Sequence, residues 1–430
     1  MGNLADLDGY LEHLCAALGH ADRRMSMKDY CRGLMLPIAR KSVEPLAAHT
    51  DPMHVRAKHQ SLHHFVAKSA WSDAAVLERV RDWVRPALVT DTGHYWIIDD
   101  TGFPKKGKQS VGVARQYCGQ LGKQDNCQVA VSLSLATELG SVPIAYQLYL
   151  PKDWANDPVR RNKTGVPQDL AFATKPDIAL VQLRGAIASG VPPGVVLADA
   201  GYGDETAFRD GMTELGLLYA VGIRPGTTVW APGIMPMPPI PQSGRGRPSS
   251  LLRRGPGHEP IAVKELAIGL PSASYQQVTW REGTNTALSS RFAVLRVRPA
   301  HRDYWRSEQR AEEWLLIEWP EGDAEPLKYL LSTAPSDATL EQLVFVTKMR
   351  WRIERDYQEL KQEFGLAHYE GRGWQGFHHH ATLCIAAYGF LIAQRLNHAD
   401  SKKNSIRSEI LALPDDYIPR GSGANTAPRP

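Results

Sequence analysis

The chain has 430 residues, 43% hydrophobic and 22% charged, with a formal charge of +4 and a pI near 8.7; this composition excludes disordered and fibrous classes and leaves room for about two to four globular domains. The mild positive charge permits a polyanionic partner without requiring one. The 5 Cys are odd in number, scattered and without a CxxC pair, which argues against a disulfide framework or zinc site, and with no signal-like or 18-residue apolar run the reading is a soluble cytoplasmic protein.

Residues 1 to about 90 read as helical. Leu4, Leu7, Leu11, Leu14 and Leu18 recur at three- and four-residue spacing. The following segments carry Arg32, Arg40, Lys41, Arg56, Lys58 and Lys68 among apolar positions, and Trp71-Ser72-Asp73 reads as a helix start. Such basic faces suit contact with a DNA backbone, and they equally suit an ordinary solvated helical surface. The pattern then turns α/β. Tyr95, Trp96, Ile97 and Ile98 form a short buried strand that delivers Asp99 and Asp100, and Thr101-Gly102 is expected to break it. Lys105, Lys106 and Lys108 follow in a loop that either grips phosphates or is a solvated turn. Segments 128–137 and 142–150 predict an antiparallel strand pair, and 177–189 a helix stopped by Gly190. Val195-Val196-Leu197-Ala198 repeats the buried-strand signature and again ends on a carboxylate, Asp199.

Residues 223 to about 335 change character. Between 225 and 258 Pro and Gly are dense, with Arg245, Arg247, Arg253 and Arg254 in a stretch that is either an exposed phosphate-tracking loop or a flexible linker. Short strands recur beyond it, within 275–282, 290–299, 312–320 and 327–334, and predict a β-rich insertion. A long helix is expected over 339–365 and a buried one over 377–396. From 398 the Pro, Gly and Ser content predicts a frayed tail. On the first of these helices Arg350, Glu354 and Lys361 are four and seven residues apart, hence on one face at about 100° per residue. Alone, such a stripe is an exposed Glu between salt-bridging cations. With Asp99 and Asp199 it makes a third carboxylate, flanked by positive charge. His378-His379-His380 reads as structural or solvated, because adjacent helix residues point in different directions.

The order Asp, Asp, Glu with a β-rich insertion before the Glu resembles the DDE transposases of the RNase H-like superfamily. Arg350, Glu354 and Lys361 match the YREK signature of the insertion-sequence-4-type group; its Tyr falls on Thr347, a departure at a phosphate-contacting position. The stretches DDTGFPKKGKQSVGVARQYCG, DNCQVAVSL, LYLPKDWANDPVRR and LADAGYG resemble the IS701-type branch. The resemblance spans about 95 to 390. It implies an α/β fold: an RNase H-like mixed-sheet core (91–222 and 336–397) interrupted by a β-rich insertion (223–335), with a helical DNA-binding domain (1–90) and a flexible tail (398–430). It implies Asp99, Asp199 and Glu354 as catalytic residues and ligands of two Mg2+ ions, which Mn2+ can replace, with Asp99 rather than Asp100 as the strand's ligand. Arg350 and Lys361 would hold phosphates beside the metals, and Lys105, Lys106 and Lys108 the backbone outside them. The chemistry implied is cleavage at transposon ends by water and joining by a DNA 3′-hydroxyl. The partners are terminal inverted repeats and target DNA, bound by a homodimer in the bacterial cytoplasm at the nucleoid. In the resembled group an insertion-domain Trp stacks on a flipped base; Trp230, Trp280, Trp305, Trp314 and Trp319 are the candidates here. Two other readings compete: a domesticated, inactive DNA-binding derivative, and a carboxylate-pair glycosidase, which has no use for Arg350 and Lys361.

Overall fold

The computed structural model describes residues 4–89, 93–239, 250–281 and 287–402. Helices α1 (Leu4–Cys15), α2 (Arg23–Met35), α3 (Val43–Thr50), α4 (Val55–Ala67) and α5 (Asp73–Leu88) come first. Strands β1 (Tyr95–Pro104), β2 (Ala114–Cys118), β3 (Lys123–Ala136) and β4 (Ser141–Leu148) follow, then α6 (Lys152–Ala155), α7 (Pro158–Thr164) and α8 (Lys175–Ala188). Next are β5 (Val195–Ala198), α9 (Ala200–Gly203), α10 (Thr206–Glu214), β6 (Tyr219–Ile223), β7 (Thr228–Trp230), β8 (Ile261–Ala262) and α11 (Val263–Ile268). The chain continues through β9 (Gln276–Arg281), β10 (Leu288–Pro299), β11 (Glu313–Glu318), β12 (Lys328–Ser332), α12 (Leu340–Lys348), α13 (Trp351–Gln362) and α14 (Trp374–Lys402). It forms two compact units: residues up to 193 together with those from 351, and residues 194–350.

The first unit is built on α14, which packs against α2, α4, α5 and β4. Leu383, Cys384, Ile385, Ala386 and Ala387 are fully buried, as expected of a helix apolar all round. The Tyr10 hydroxyl donates to the Ala386 carbonyl at 2.7 Å, and the Ser72 side chain caps α5 by accepting from the Ala75 amide. The His tripeptide on α14 is structural. His378 accepts from the Leu148 amide, His379 lies between the Val66 and Trp71 carbonyls, donating to one of them when neutral, and stacks on Trp71, and His380 bonds Tyr30 and the Gly365 carbonyl. Burial pushes His379 and His380 down from 6.5 to about 4. Protons therefore bind the unfolded chain first, and stability present above pH 6.5 should be lost as pH falls toward about 4. Two buried acids oppose this: Asp356, raised by burial to about 6, and Glu313, also pushed up by burial, gain stability on protonation as the pH falls. The expected result is a net fall in urea midpoint from pH 6.5 to 4, steeper in Asp356→Asn; a flat profile would contradict it.

In the sheet of this unit β3 pairs antiparallel with β1, β2 and β4. The expected strand pair is therefore present, and β2, which its Arg115, Gln116 and Tyr117 did not announce as a strand, is added to it. One expectation is corrected. Thr101-Gly102 does not break β1, which stays paired to Pro104, opposite Cys127. The glycine instead makes room for the neighbour: a Cβ at Gly102 would lie 2.8 Å from the Cys118 Sγ.

In the second unit β5 and β6 are parallel, and β6, β12, β11 and β10 continue antiparallel, with β7 and β9 each pairing β10 and β8 pairing β7. The sheet is mixed, and the short strands expected between 275 and 334 are present as β9 to β12. Arg254 bonds Asp303 and the Ala300 carbonyl, and Arg253 the Pro238 carbonyl, while Arg245 and Arg247 lie outside the described residues. The long helix expected over 339–365 is two helices. Thr339 caps α12 through a capping box, and a turn at Met349 and Arg350 separates it from α13. The reason is packing: α12 rests on β9 and β10 of one unit, whereas α13 rests on β1 and β4 of the other. The final helix runs to Lys402, past the expected end, and residues 403–430 of the expected tail lie outside the described residues.

Candidate active site

The pleat of β1 separates its two aspartates. Asp99 pairs with Ser132 and Asp100 with Val131, and paired residues share a sheet face. The Ser132 hydroxyl is 2.8 Å from the Tyr357 hydroxyl of α13, so Asp99 lies on the face that α13 covers. Asp100 points the other way, where Lys175 of α8 donates to its Oδ2 at 2.7 Å. That carboxylate already has its cation.

Three contacts set α13 against the sheet. The Asp356 carboxylate, fully buried, accepts from Ser141 at 2.5 Å, Tyr388 at 3.0 Å and Ser134 at 3.1 Å. The Tyr357 hydroxyl donates to the Asp99 carbonyl at 3.1 Å, and the Lys361 Nζ to the Gly102 carbonyl at 2.8 Å. The helix thus tracks β1 across the aspartate. Glu354 is one turn ahead of Tyr357 on the same helical face, and it is exposed. Asp356 and Tyr357 were missed in the sequence, although a polar pair on the stripe of Ile353 and Leu360 was the available signal.

Lys361 also contacts the Gln120 Oε1 at 3.1 Å and stands over the Phe103 ring at 5.0 Å. Burial lowers its ammonium to about 8. A phosphate beside it would favour the charged form, so DNA binding should take up a proton above that value. If a DNA phosphate lies there, affinity should weaken between about pH 7 and pH 9, and Lys361→Arg, which stays charged, should flatten the profile when Kd is measured by fluorescence anisotropy. An unchanged slope in the arginine variant would remove Lys361 from the binding surface.

Asp199 belongs to the second unit and ends β5. Its Oδ1 accepts from the Gly201 amide at 2.8 Å, capping the short α9 turn. That turn lies tight against β6, because Gly203 and Gly222 carry no side chains: a Cβ on Gly203 would be 2.2 Å from the Gly222 carbonyl oxygen. Arg209, 2% exposed, donates to Gly203 and Thr206 from α10 and holds the turn from the other side. The neighbouring acids have other work. Asp204 accepts from Thr227, and Glu359 is shared by Arg355 and Arg395.

The remaining cations divide into engaged and exposed groups. Arg350 is half-buried in the turn before α13, not on the helix that carries Glu354 and Lys361. Lys105 donates to the Tyr369 carbonyl at 3.0 Å, whereas Lys106 and Lys108 are exposed. In the helical region Arg32 pairs with Asp8, Arg40 with Glu370 and Lys58 with Asp29, and Lys41 is buried on the Leu34 and Leu36 carbonyls. Arg56 and Lys68 are exposed.

No group of three or more His, Cys, Asp and Glu side chains is arranged as a metal site among the described residues. Asp99 and Glu354 belong to one unit and Asp199 to the other. Asp99 and Asp199 are each half-buried and Glu354 is exposed, and carboxylate oxygens of this kind are the donors that hard divalent cations prefer. No helix among the described residues is long and apolar enough to cross a membrane.

Known proteins resemble the chain over part of its length. The family model described as DDE superfamily endonuclease matches residues 13–287. A protein of Microchaete diplosiphon named "Probable transposase for insertion sequence element IS701" is 34% identical over 166 residues, 38% of this chain and 40% of the relative. The match thus spans less than half the length of that relative. The family match covers more than half of the chain and takes in both strand-end aspartates, Asp99 and Asp199, and on that ground the chain belongs to the DDE superfamily endonucleases.

Proposed function

We propose that the protein is a DNA transposase that cleaves transposon ends and joins them to target DNA through phosphodiester chemistry at Asp99, Asp199 and Glu354. The observation that carries this reading is α13 lying along β1, with Tyr357 on the Asp99 carbonyl and Glu354 one turn away on the same helical face. The three carboxylates would hold the Mg2+ or Mn2+ ions. Bound divalent cations activate the attacking oxygen and stabilise the leaving one in such displacements. Lys361 and Arg350 bind phosphate beside the acids, and Lys106 and Lys108 extend that contact, while Lys105 braces their loop through Tyr369. Joining two ends together calls for a homodimer on DNA. The helical region contributes DNA contacts through the exposed Arg56 and Lys68, whereas Arg24, Lys28, Arg32, Arg40 and Lys58 already have acidic partners. Among the insertion tryptophans, Trp305 is the one best presented to a flipped base. It is 61% exposed, with the Arg302 guanidinium 5.2 Å over its ring, whereas Trp230 is 2% exposed and donates to Asp303.

The contrast between the two adjacent aspartates tests the reading. Asp99→Asn should abolish Mg2+-dependent nicking of a plasmid carrying the element's ends. Asp100→Asn, which loses the Lys175 pair, should retain most of it. Equal loss in both variants, or nicking that survives chelation of divalent metal, would overturn the assignment.

A further inference from the structure

The β2–β3 hairpin leaves the sheet beyond the aspartates and has no part in the chemistry above. Its register places Arg115 opposite Asn126 and Tyr117 opposite Gln124, so these residues share one face. Tyr117 is 58% exposed and Leu121, in the tip, 41%. The Tyr117 ring is thereby open to a flat stacking partner.

Two contacts tie the hairpin to the proposed phosphate-binding residues. At its tip, Gln120 meets the Lys361 ammonium at 3.1 Å. At its base, the Asn126 side chain donates to the Lys105 carbonyl at 2.5 Å and the Gly107 carbonyl at 2.9 Å, stapling the loop that carries Lys106 and Lys108. Arg115 and Lys123 are exposed, and Asp125, which pairs with Lys123 at 3.5 Å, is the single carboxylate between 114 and 127. Lys123 and Asp125, opposite Cys118 and Gln116, share the other face, which leaves Arg115 and the Tyr117 ring on a face of the hairpin with no carboxylate.

We propose that this hairpin is a DNA-contacting surface, on which Arg115 holds a phosphate and Tyr117 packs on a base of the strand that Lys361 engages. It rests on the DNA chemistry proposed above and adds a contact surface to it. A phosphate backbone supplies the charge that complements Arg115, Lys106 and Lys108. An unpaired or gapped base supplies the flat apolar face that Tyr117 lacks.

The full-length protein is titrated into a fluorescein-labelled duplex with a short single-stranded gap, without divalent metal, and Kd is read by anisotropy across salt concentrations. Arg115→Ala should weaken binding and reduce the slope of log K against log salt by about one, whereas Lys123→Ala, on the opposite face, should leave both near wild type. Tyr117→Ala should weaken binding to the gapped duplex roughly 5- to 100-fold, and Tyr117→Phe should restore it. Unchanged Kd and slope in Arg115→Ala and Tyr117→Ala overturn the proposal, as does a wild-type chain that fails to bind the duplex. Loss of dimer in sedimentation with DNA affinity intact also overturns it, in favour of an interface between copies. Nicking is assayed separately with Mg2+. Hairpin-dependent binding without nicking would refute the proposed chemistry while upholding the hairpin, and nicking with hairpin-independent binding the reverse.

Discussion

Glu354→Gln is expected to lose Mg2+-dependent nicking by about 10²–10³-fold or more, the scale on which removing one preorganised electrostatic group acts. Binding of transposon-end DNA should be nearly unchanged. Glutamine keeps the size and helix propensity of the residue, and Glu354 is exposed on α13, so the fold has little reason to respond. What changes is the charge that would hold a divalent cation. The helix itself stays in place because its anchors are elsewhere: Asp356 on Ser134, Ser141 and Tyr388, Tyr357 on Ser132 and the Asp99 carbonyl, and Lys361 on Gly102. A plasmid nicking assay beside an anisotropy titration separates chemistry from binding. If nicking survives in Glu354→Gln, the third carboxylate is misassigned.

The second large effect is on folding. Gly203→Val should destabilise the protein by about 3 kcal/mol or more, at or beyond the upper end of ordinary overpacking. A Cβ there would be 2.2 Å from the Gly222 carbonyl oxygen and 2.6 Å from the Val221 Cβ, and both belong to a paired strand with little freedom to retreat. The α9 turn that follows Asp199 would have to lift from β6, so nicking should fall along with the urea midpoint. Gly226→Ala is the control, since a Cβ there meets nothing within 4 Å, and it should be close to neutral. Equal midpoints for the two variants would mean that the close approach of α9 to β6 is not a structural requirement.

The strand ending at Asp199 and the four strands between 275 and 334 were legible because a short apolar or alternating run bounded by Gly and Pro has few other folds. The β2 strand was hidden because Arg115, Gln116 and Tyr117 offer no apolar alternation; it pairs with β3 and leaves Arg115 and Tyr117 in solvent. The break between α12 and α13 was hidden for another reason. Neither Pro nor Gly stands near Lys348-Met349-Arg350, and the helical periodicity runs through the turn.

The sequence by itself determined the residue types of the candidate site, the order in which they occur and the helical spacing of Glu354 and Lys361, because strand ends and helix faces follow from local pattern. Tertiary structure decided which of two adjacent aspartates faces that helix. The register of β1 on β3 sends Asp99 toward α13 and Asp100 toward Lys175, and register depends on partners more than twenty residues away. It also decided which cations are engaged: Lys105, Arg32, Arg40 and Lys58 look like Lys106 and Lys108 in the sequence, but each meets a carbonyl or carboxylate from a remote segment. A side chain's charge is written in the chain, whereas the group that satisfies it is chosen only when distant segments pack together.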